Sequence, residues 1–243
     1  MYFRGDYMKI NLFPTLNSVE EEGLKGTTAV VIDVLRATSV ITTAVYNGCL
    51  DVVPVLEIED ALNYKNEKVL LGGERRGFKI EGFDLSNSPL EYNRENVEGK
   101  RIVFTTSNGT RAIIKAKYSD TILIGSMLNA KYLADFVVKK GSDINIICSG
   151  TDGNFSIDDF LCAGKIIYEI NKLKEMDMTD FATLAYLTYM NNRENIFEYL
   201  KYASHYKYMM SIGLEEDIMC CFKEDILDVV PYFKDGSIKK YPL

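Results

Sequence analysis

Thr28-Ala29-Val30-Val31-Ile32-Asp33-Val34-Leu35-Arg36-Ala37-Thr38-Ser39 is an apolar run that closes on Asp33, then meets Arg36 and two hydroxyl residues. A strand buried on both faces reads as a continuous apolar run, as strands of helix-covered parallel sheets do. Arg101-Ile102-Val103-Phe104-Thr105-Thr106-Ser107-Asn108-Gly109-Thr110-Arg111 follows the same plan, with hydroxyls, a glycine and another arginine at its end. Each segment predicts a buried strand that stops in a polar turn and feeds a helix. Carboxylate, arginines and backbone N–H groups then gather where open α/β sheets bind ligands.

Further expectations extend outward from these two strands. Residues 8–13 and 52–55 predict strands, the second ending or edging a sheet because of Pro54. Helices are expected over 38–47 and 58–64, with a strand over 68–71 that closes on Gly72-Gly73-Glu74-Arg75-Arg76-Gly77. After 101–105 come a helix from Thr110, a strand over 121–124, a helix over 129–140 and a strand over 143–147. The order suggests an internal repeat of about 25–80 and 99–155, offset by about 70 to 75 residues. Ordinary α/β alternation gives the same pattern. Residues 158–174 predict the clearest helix, with Ser156 as N-cap and Asp158 and Asp159 at its positive end. Residues 179–227 predict further helices, and 229–238 a hairpin about Asp235-Gly236. No linker or low-complexity stretch interrupts the chain. The expected fold is a three-layer α/β/α unit, one domain over 1–243 with a mixed, mostly parallel sheet and a helical C-terminal part over 179–243.

The 243 residues are 47% hydrophobic and 26% charged, ordinary for a soluble globular protein. A formal charge of −7 argues against nucleic acid, which calls for a basic face. No apolar run approaches the roughly 20 residues of a membrane span. The first eight residues lack the order of a signal peptide, and Met8 is an alternative start. Five cysteines without a C-x-x-C pair fit reduced thiols in the cytoplasm. One histidine, His205, makes a His/Cys zinc site improbable. A catalytic cation is therefore expected to be hard, with Mg2+ the default. The default assembly is a homo-oligomer, a dimer.

Asp33 ends a buried strand, where a carboxylate is costly unless paired or metal-bound. Glu74 leaves a strand after two glycines that permit close backbone approach. With Asp158 and Asp159, these carboxylates are expected to hold the cation at one sheet edge. Thr105, Thr106, Asn108, Gly109 and Thr110 resemble a phosphate nest, although no P-loop pattern is present. Arg36, Arg75, Arg76 and Arg111 suit bidentate contacts with phosphate, carboxylate or sulfonate. Other readings stay open: Asp33 paired with Arg36, Glu74 in a surface turn, and both helix-opening aspartates as dipole partners.

Haloacid-dehalogenase-type phosphatases use D-x-D, whereas Leu35 stands two places after Asp33; cysteine phosphatases use C-x5-R, whereas Asn154 stands six after Cys148. Five ordered segments instead carry a resemblance: Asp33-Val34-Leu35-Arg36-Ala37-Thr38-Ser39, Gly73-Glu74-Arg75, Gly82-Phe83-Asp84-Leu85-Ser86-Asn87-Ser88-Pro89, Thr105-Thr106-Ser107-Asn108-Gly109-Thr110-Arg111 and Ser156-Ile157-Asp158-Asp159-Phe160-Leu161-Cys162-Ala163-Gly164. Together they resemble the 2-phosphosulfolactate phosphatase (ComB) family, in order over nearly the whole chain. The likeness implies a magnesium-dependent hydrolysis of 2-phosphosulfolactate to sulfolactate and phosphate, a step toward coenzyme M. It also brings Asn87 and Ser88 into the expected substrate site. Two departures are Ser86-Asn87-Ser88-Pro89 for Gly-Asn-Ser-Pro and His205-Tyr206-Lys207 for His-Gly-Arg.

Chemically, the implied substrate carries phosphate, carboxylate and sulfonate, about four negative charges near neutral pH. Arginines plus a divalent cation are what it requires. Asp33, Arg36 and Glu74 are the expected catalytic residues, by metal-assisted hydrolysis or through an aspartyl-phosphate on Asp33. The rival is a non-catalytic binding protein for anionic organophosphates or sulfonates.

Overall fold

The computed structural model describes residues 8–65 and 68–242; residues 1–7, and with them the question of a Met8 start, lie outside. The chain runs β1 (Lys9–Phe13), β2 (Thr28–Ile32), α1 (Ala37–Tyr46), β3 (Asp51–Pro54), α2 (Ile58–Leu62), β4 (Val69–Arg75) and β5 (Phe78–Lys79). It continues with α3 (Arg94–Val97), β6 (Arg101–Thr105), α4 (Gly109–Lys115), β7 (Thr121–Gly125), α5 (Ala130–Lys140) and β8 (Ile144–Cys148). The remainder is α6 (Ile157–Leu173), β9 (Asp177–Met178), α7 (Asp180–Asn192), α8 (Ile196–Leu200), α9 (Ser204–Ser211), α10 (Glu215–Cys221), β10 (Pro231–Lys234) and β11 (Ser237–Lys240).

The strands form one mixed sheet in the order β5-β4-β6-β3-β11-β10-β7-β2-β8-β1-β9. β4, β6 and β3 are mutually parallel, as are β7, β2, β8 and β1. The hairpin β10–β11 pairs antiparallel with β7 on one side and β3 on the other. The two parallel blocks therefore run in opposite directions. The first strand of each series lies inside the other block: β6 between β4 and β3, β2 between β7 and β8. Pro54 is indeed a strand end, but of an interior strand rather than an edge.

Burial explains the apolar runs. Every residue of β2 is buried, and its side chains alternate between two cores. Ala29 and Val31 meet Val40 and Ile41 of α1 and Ile113 of α4. Val30 and Ile32 meet Leu133 of α5 and Leu161 and Ile166 of α6. β6 divides likewise, Ile102 and Phe104 facing α1 and α4, and Val103 facing Leu71, Ala61 and Phe83. Helix α1 is buried almost all round and packs across β3, β11, β10 and β7. That placement brings the turns after β2 and β6 to a common cavity. Among the described residues, no helix is long and apolar enough to cross a membrane.

Candidate active site

A cavity of about 940 Å3 opens where the turns after β2, β4, β6 and β8 meet α9. Asp33, the first residue past β2, lines it while only 7% exposed. Its backbone is fixed by the start of α1: Thr38 N donates to its carbonyl at 2.9 Å, and its own N–H donates to Thr38 Oγ1 at 3.1 Å. Its carboxylate receives only a long bond, 3.4 Å from Ala37 N to Oδ1. Burial pushes this carboxyl up to about 6; His205 opposes the rise, while Glu74 and Asp158 add to it. Gly109 faces it, and a Cβ there would lie 2.7 Å from Asp33 Oδ2. The bare glycine leaves that oxygen open.

Glu74 reaches the same cavity from β4. Gly73 before it has a φ of 141°, and an added Cβ would collide with the Thr105 carbonyl, so the glycine is needed for close approach. Glu74 Oε1 accepts from Ser107 N at 2.8 Å and Oε2 from Gly77 N at 2.7 Å. It ties the turn after β6 to the β4–β5 hairpin instead of projecting into a surface turn.

The two helix-opening aspartates part company. Asp159 Oδ1 accepts from Val34 N at 2.9 Å, and its Oδ2 from Ser149 Oγ and Gly150 N, each at 3.0 Å. It clamps the turns after β2 and β8 together; burial, then the charges of Asp158 and Asp33, hold its carboxyl well above the usual range. Unlike Asp33, Glu74 and His205, Asp159 does not line the main cavity, and its oxygens serve backbone and hydroxyl donors. Asp158 Oδ2 bonds His205 Nδ1 on α9 at 2.9 Å, and its Oδ1 accepts from Ser156 Oγ. Ser156 occupies the N-cap position, but its hydroxyl serves Asp158 rather than the helix backbone. Burial opposes ionisation of Asp158, yet the hydrogen bond and charge of His205 outweigh it and lower the pKa. For His205, burial opposes the charge and Asp158 prevails, raising the pKa to about 9.

Arg36 lines the cavity yet is ion-paired with buried Asp217 of α10, and its Nη2 donates to the Gly77 carbonyl at 2.9 Å. Its partner is neither Asp33 nor open space. The Leu35–Arg36 peptide is cis. Ser88 Oγ donates to the other Asp217 oxygen at 2.6 Å, so Ser88 belongs to this buried network. Asn87 is 4% exposed and borders the cavity, and its Oδ1 has no hydrogen-bond partner among the described residues.

The threonine hydroxyls of the expected nest are bonded within the protein. Thr106 and Thr110 bond each other's backbone, and Thr105 Oγ1 donates to Leu56 O and accepts from Arg75. All three are buried. Ser107 and Asn108 remain at the cavity wall, Asn108 Oδ1 accepting from Asp152 N at 3.2 Å. Arg75 donates to Glu74 O, Leu56 O and Thr105 Oγ1. It faces a neighbouring cavity with Arg76 and Arg111.

Oxygen donors around Asp33 suit a hard cation. Among the described residues no three His, Cys, Asp or Glu side chains group into a ready-made cage. Magnesium, however, binds through one or two carboxylates, waters and substrate phosphate. Asp33 and Glu74 meet that requirement, and the orphaned Asn87 oxygen is a further hard acceptor nearby.

His205 and Asp217 escaped the expected set. The first is the sole histidine, a signal in itself. Asp217 lies in Glu215-Glu216-Asp217 at the start of α10, where acidic residues need no special reason.

A buried carboxylate facing an aspartate-supported histidine, with arginines alongside, defines an α/β enzyme for an anionic small molecule. The profile of the 2-phosphosulpholactate phosphatase family matches residues 13–236. A Clostridium acetobutylicum relative named probable 2-phosphosulfolactate phosphatase is 49% identical over 235 residues, 95% of this chain and 100% of its own. Relatives of the same name from Clostridium perfringens and Caldanaerobacter subterraneus are 47% and 42% identical, each covering 96% of this chain and 96% and 98% of their own. This chain belongs to that family, whose members are phosphoric monoester hydrolases.

Proposed function

We propose that this protein is a magnesium-dependent phosphatase that converts 2-phosphosulfolactate, or a similar phosphorylated hydroxy acid, to the free hydroxy acid and phosphate. The observation that carries the reading is Asp33, whose open oxygen faces the same cavity as His205. The relatives' name supports the substrate.

Asp33 and Glu74 are the residues that would hold magnesium, which when bound offsets the negative charge of carboxylates and phosphoryl oxygens alike. Asp33 sits on a strand end whose backbone is fixed by Thr38, so its place at the cavity is set before substrate arrives. Asp158 fixes the His205 ring through Nδ1, and Nε2 has no partner among the described residues. With its pKa raised to about 9, His205 is an imidazolium at neutral pH. Water attacks phosphorus as the bond to the substrate oxygen breaks; Nε2 supplies the proton to that leaving oxygen, and a proton brought by the water is released from the phosphate product to restore the imidazolium. Arg36, neutralised by Asp217, holds the Gly77 carbonyl and so shapes the floor beneath Glu74. A binding protein for the same anions needs arginines but no supported proton donor; the Asp158–His205 pair favours catalysis.

Phosphate release from 2-phosphosulfolactate and a panel of phosphorylated hydroxy acids tests the proposal. EDTA should abolish release and Mg2+ restore it. Full activity in demetallated protein removes the cation from the proposal, and no release from 2-phosphosulfolactate removes the substrate.

A further inference from the structure

Beside the main cavity lies a second of about 660 Å3. Arg76, Ser107, Asn108 and Asp152 line both, so the two bays share a wall. The charged residues of the second bay are three arginines, Arg75, Arg76 and Arg111, and one carboxylate, Asp152. Arg75 is fixed by two carbonyls and a hydroxyl, all neutral acceptors, so its orientation is set and its charge uncancelled. Among the described residues, Arg76 and Arg111 have no side-chain hydrogen bond or ion pair.

Arg76 stands at the junction. Its φ of 51° is left-handed, a conformation that non-glycine residues seldom adopt. Three contacts hold the turn there: Tyr208 Oη donates to Arg76 O at 2.9 Å, Gly77 N donates to Glu74, and Arg36 donates to Gly77 O. Arg76 and Arg111 are both exposed, and the pinned backbone of Arg76 places its free guanidinium at the junction of the two bays, within reach of a bound anion.

We infer that the second bay binds the non-reacting anionic end of the substrate, a sulfonate or carboxylate, and that Arg76 and Arg111 determine specificity for it. The inference rests on the main cavity being the phosphoryl pocket. The anionic groups of one short skeleton repel one another, and cations on different walls of the site offset that repulsion. Carboxylates that suit a cation line the first bay; uncancelled guanidiniums line the second.

The test compares 2-phosphosulfolactate with ethyl phosphate, which has no second anionic group, in wild type and in Arg76→Gln and Arg111→Gln. The ratio of kcat/KM for the two substrates should fall about 10- to 100-fold in each variant, the range of a lost charge-assisted contact, mainly through KM. Arg76→Lys should recover part of it. Calorimetric binding of sulfolactate, which needs no turnover, should weaken by a similar factor. An unchanged ratio with unchanged sulfolactate affinity overturns the inference. If wild type hydrolyses ethyl phosphate but neither hydrolyses 2-phosphosulfolactate nor binds sulfolactate, the substrate reading fails. Phosphoglycolate against ethyl phosphate then decides the second bay by the same ratio.

Discussion

His205 Nδ1 and Asp158 Oδ2 lie 2.9 Å apart, joining α9 to the first turn of α6 across the mouth of the cavity. The histidine's pKa is raised from 6.5 to about 9. A basic group with a raised folded pKa adds stability that is complete below its unfolded value and lost as pH rises through the folded one. The stability gap between wild type and His205→Gln, measured by urea unfolding, should therefore be full below about pH 6.5 and vanish through about pH 9. A gap independent of pH means the pair is not ionic.

The same proton governs turnover. His205→Gln should lower kcat about 100- to 10,000-fold, the usual span for a general acid. The wild-type rate should fall as pH rises through the basic range, and the variant should lose that limb. A variant with the wild-type pH–rate profile removes His205 from proton transfer.

Asp33 changes stability in the same direction over a lower pH range, because here the charged form is the costly one. Its pKa is raised from 3.8 to about 6 by burial, so its contribution to stability is present below about 3.8 and lost as pH rises through about 6. Asp33→Asn should raise the Tm of metal-free protein by about 2–6 °C at pH 7 while lowering phosphate release by orders of magnitude. Unimpaired release ends the case for this site.

Glu74→Gln should behave differently, because both oxygens of Glu74 accept backbone N–H groups. A glutamine offers one acceptor and sets its NH2 against the other donor. A loss of about 1–3 kcal/mol in unfolding free energy is expected, together with lower activity.

Arg36 is ion-paired with buried Asp217. Arg36→Met strands buried Asp217 and should cost about 3–5 kcal/mol. Pairing it with Asp217→Leu should recover much of that loss, a coupling read from a double-mutant cycle in urea. Simple additivity counts against the ion pair.

The strand ends were legible because β2 and β6 are covered on both faces and so read as continuous apolar runs that stop on polar residues. The position of Asp33 past β2 followed from that, and the placement of Glu74 from the glycines before it on β4. The hydroxyls of Thr105, Thr106 and Thr110 misled because short polar side chains bond nearby backbone as readily as a ligand. Asp158 was among the expected carboxylates, but its pairing was hidden: an acid at a helix start is already explained by the dipole, and His205 is 47 residues away. Pairings of Arg36 with Asp217 and of β10–β11 with β7 and β3 link distant stretches, and no local pattern encodes them.

Those last pairings give the chain a direction of assembly. On a ribosome the two oppositely oriented blocks are complete once β8 and α6 have emerged, yet the strands that join them edge to edge, residues 231–240, are still to be made. Until residues 231–240 arrive, β3 and β7 each present an unpaired rim, the kind of edge that invites other chains. The hairpin thus acts as a closing stitch, and its late synthesis sets the interval during which the nascent protein is open to misassociation.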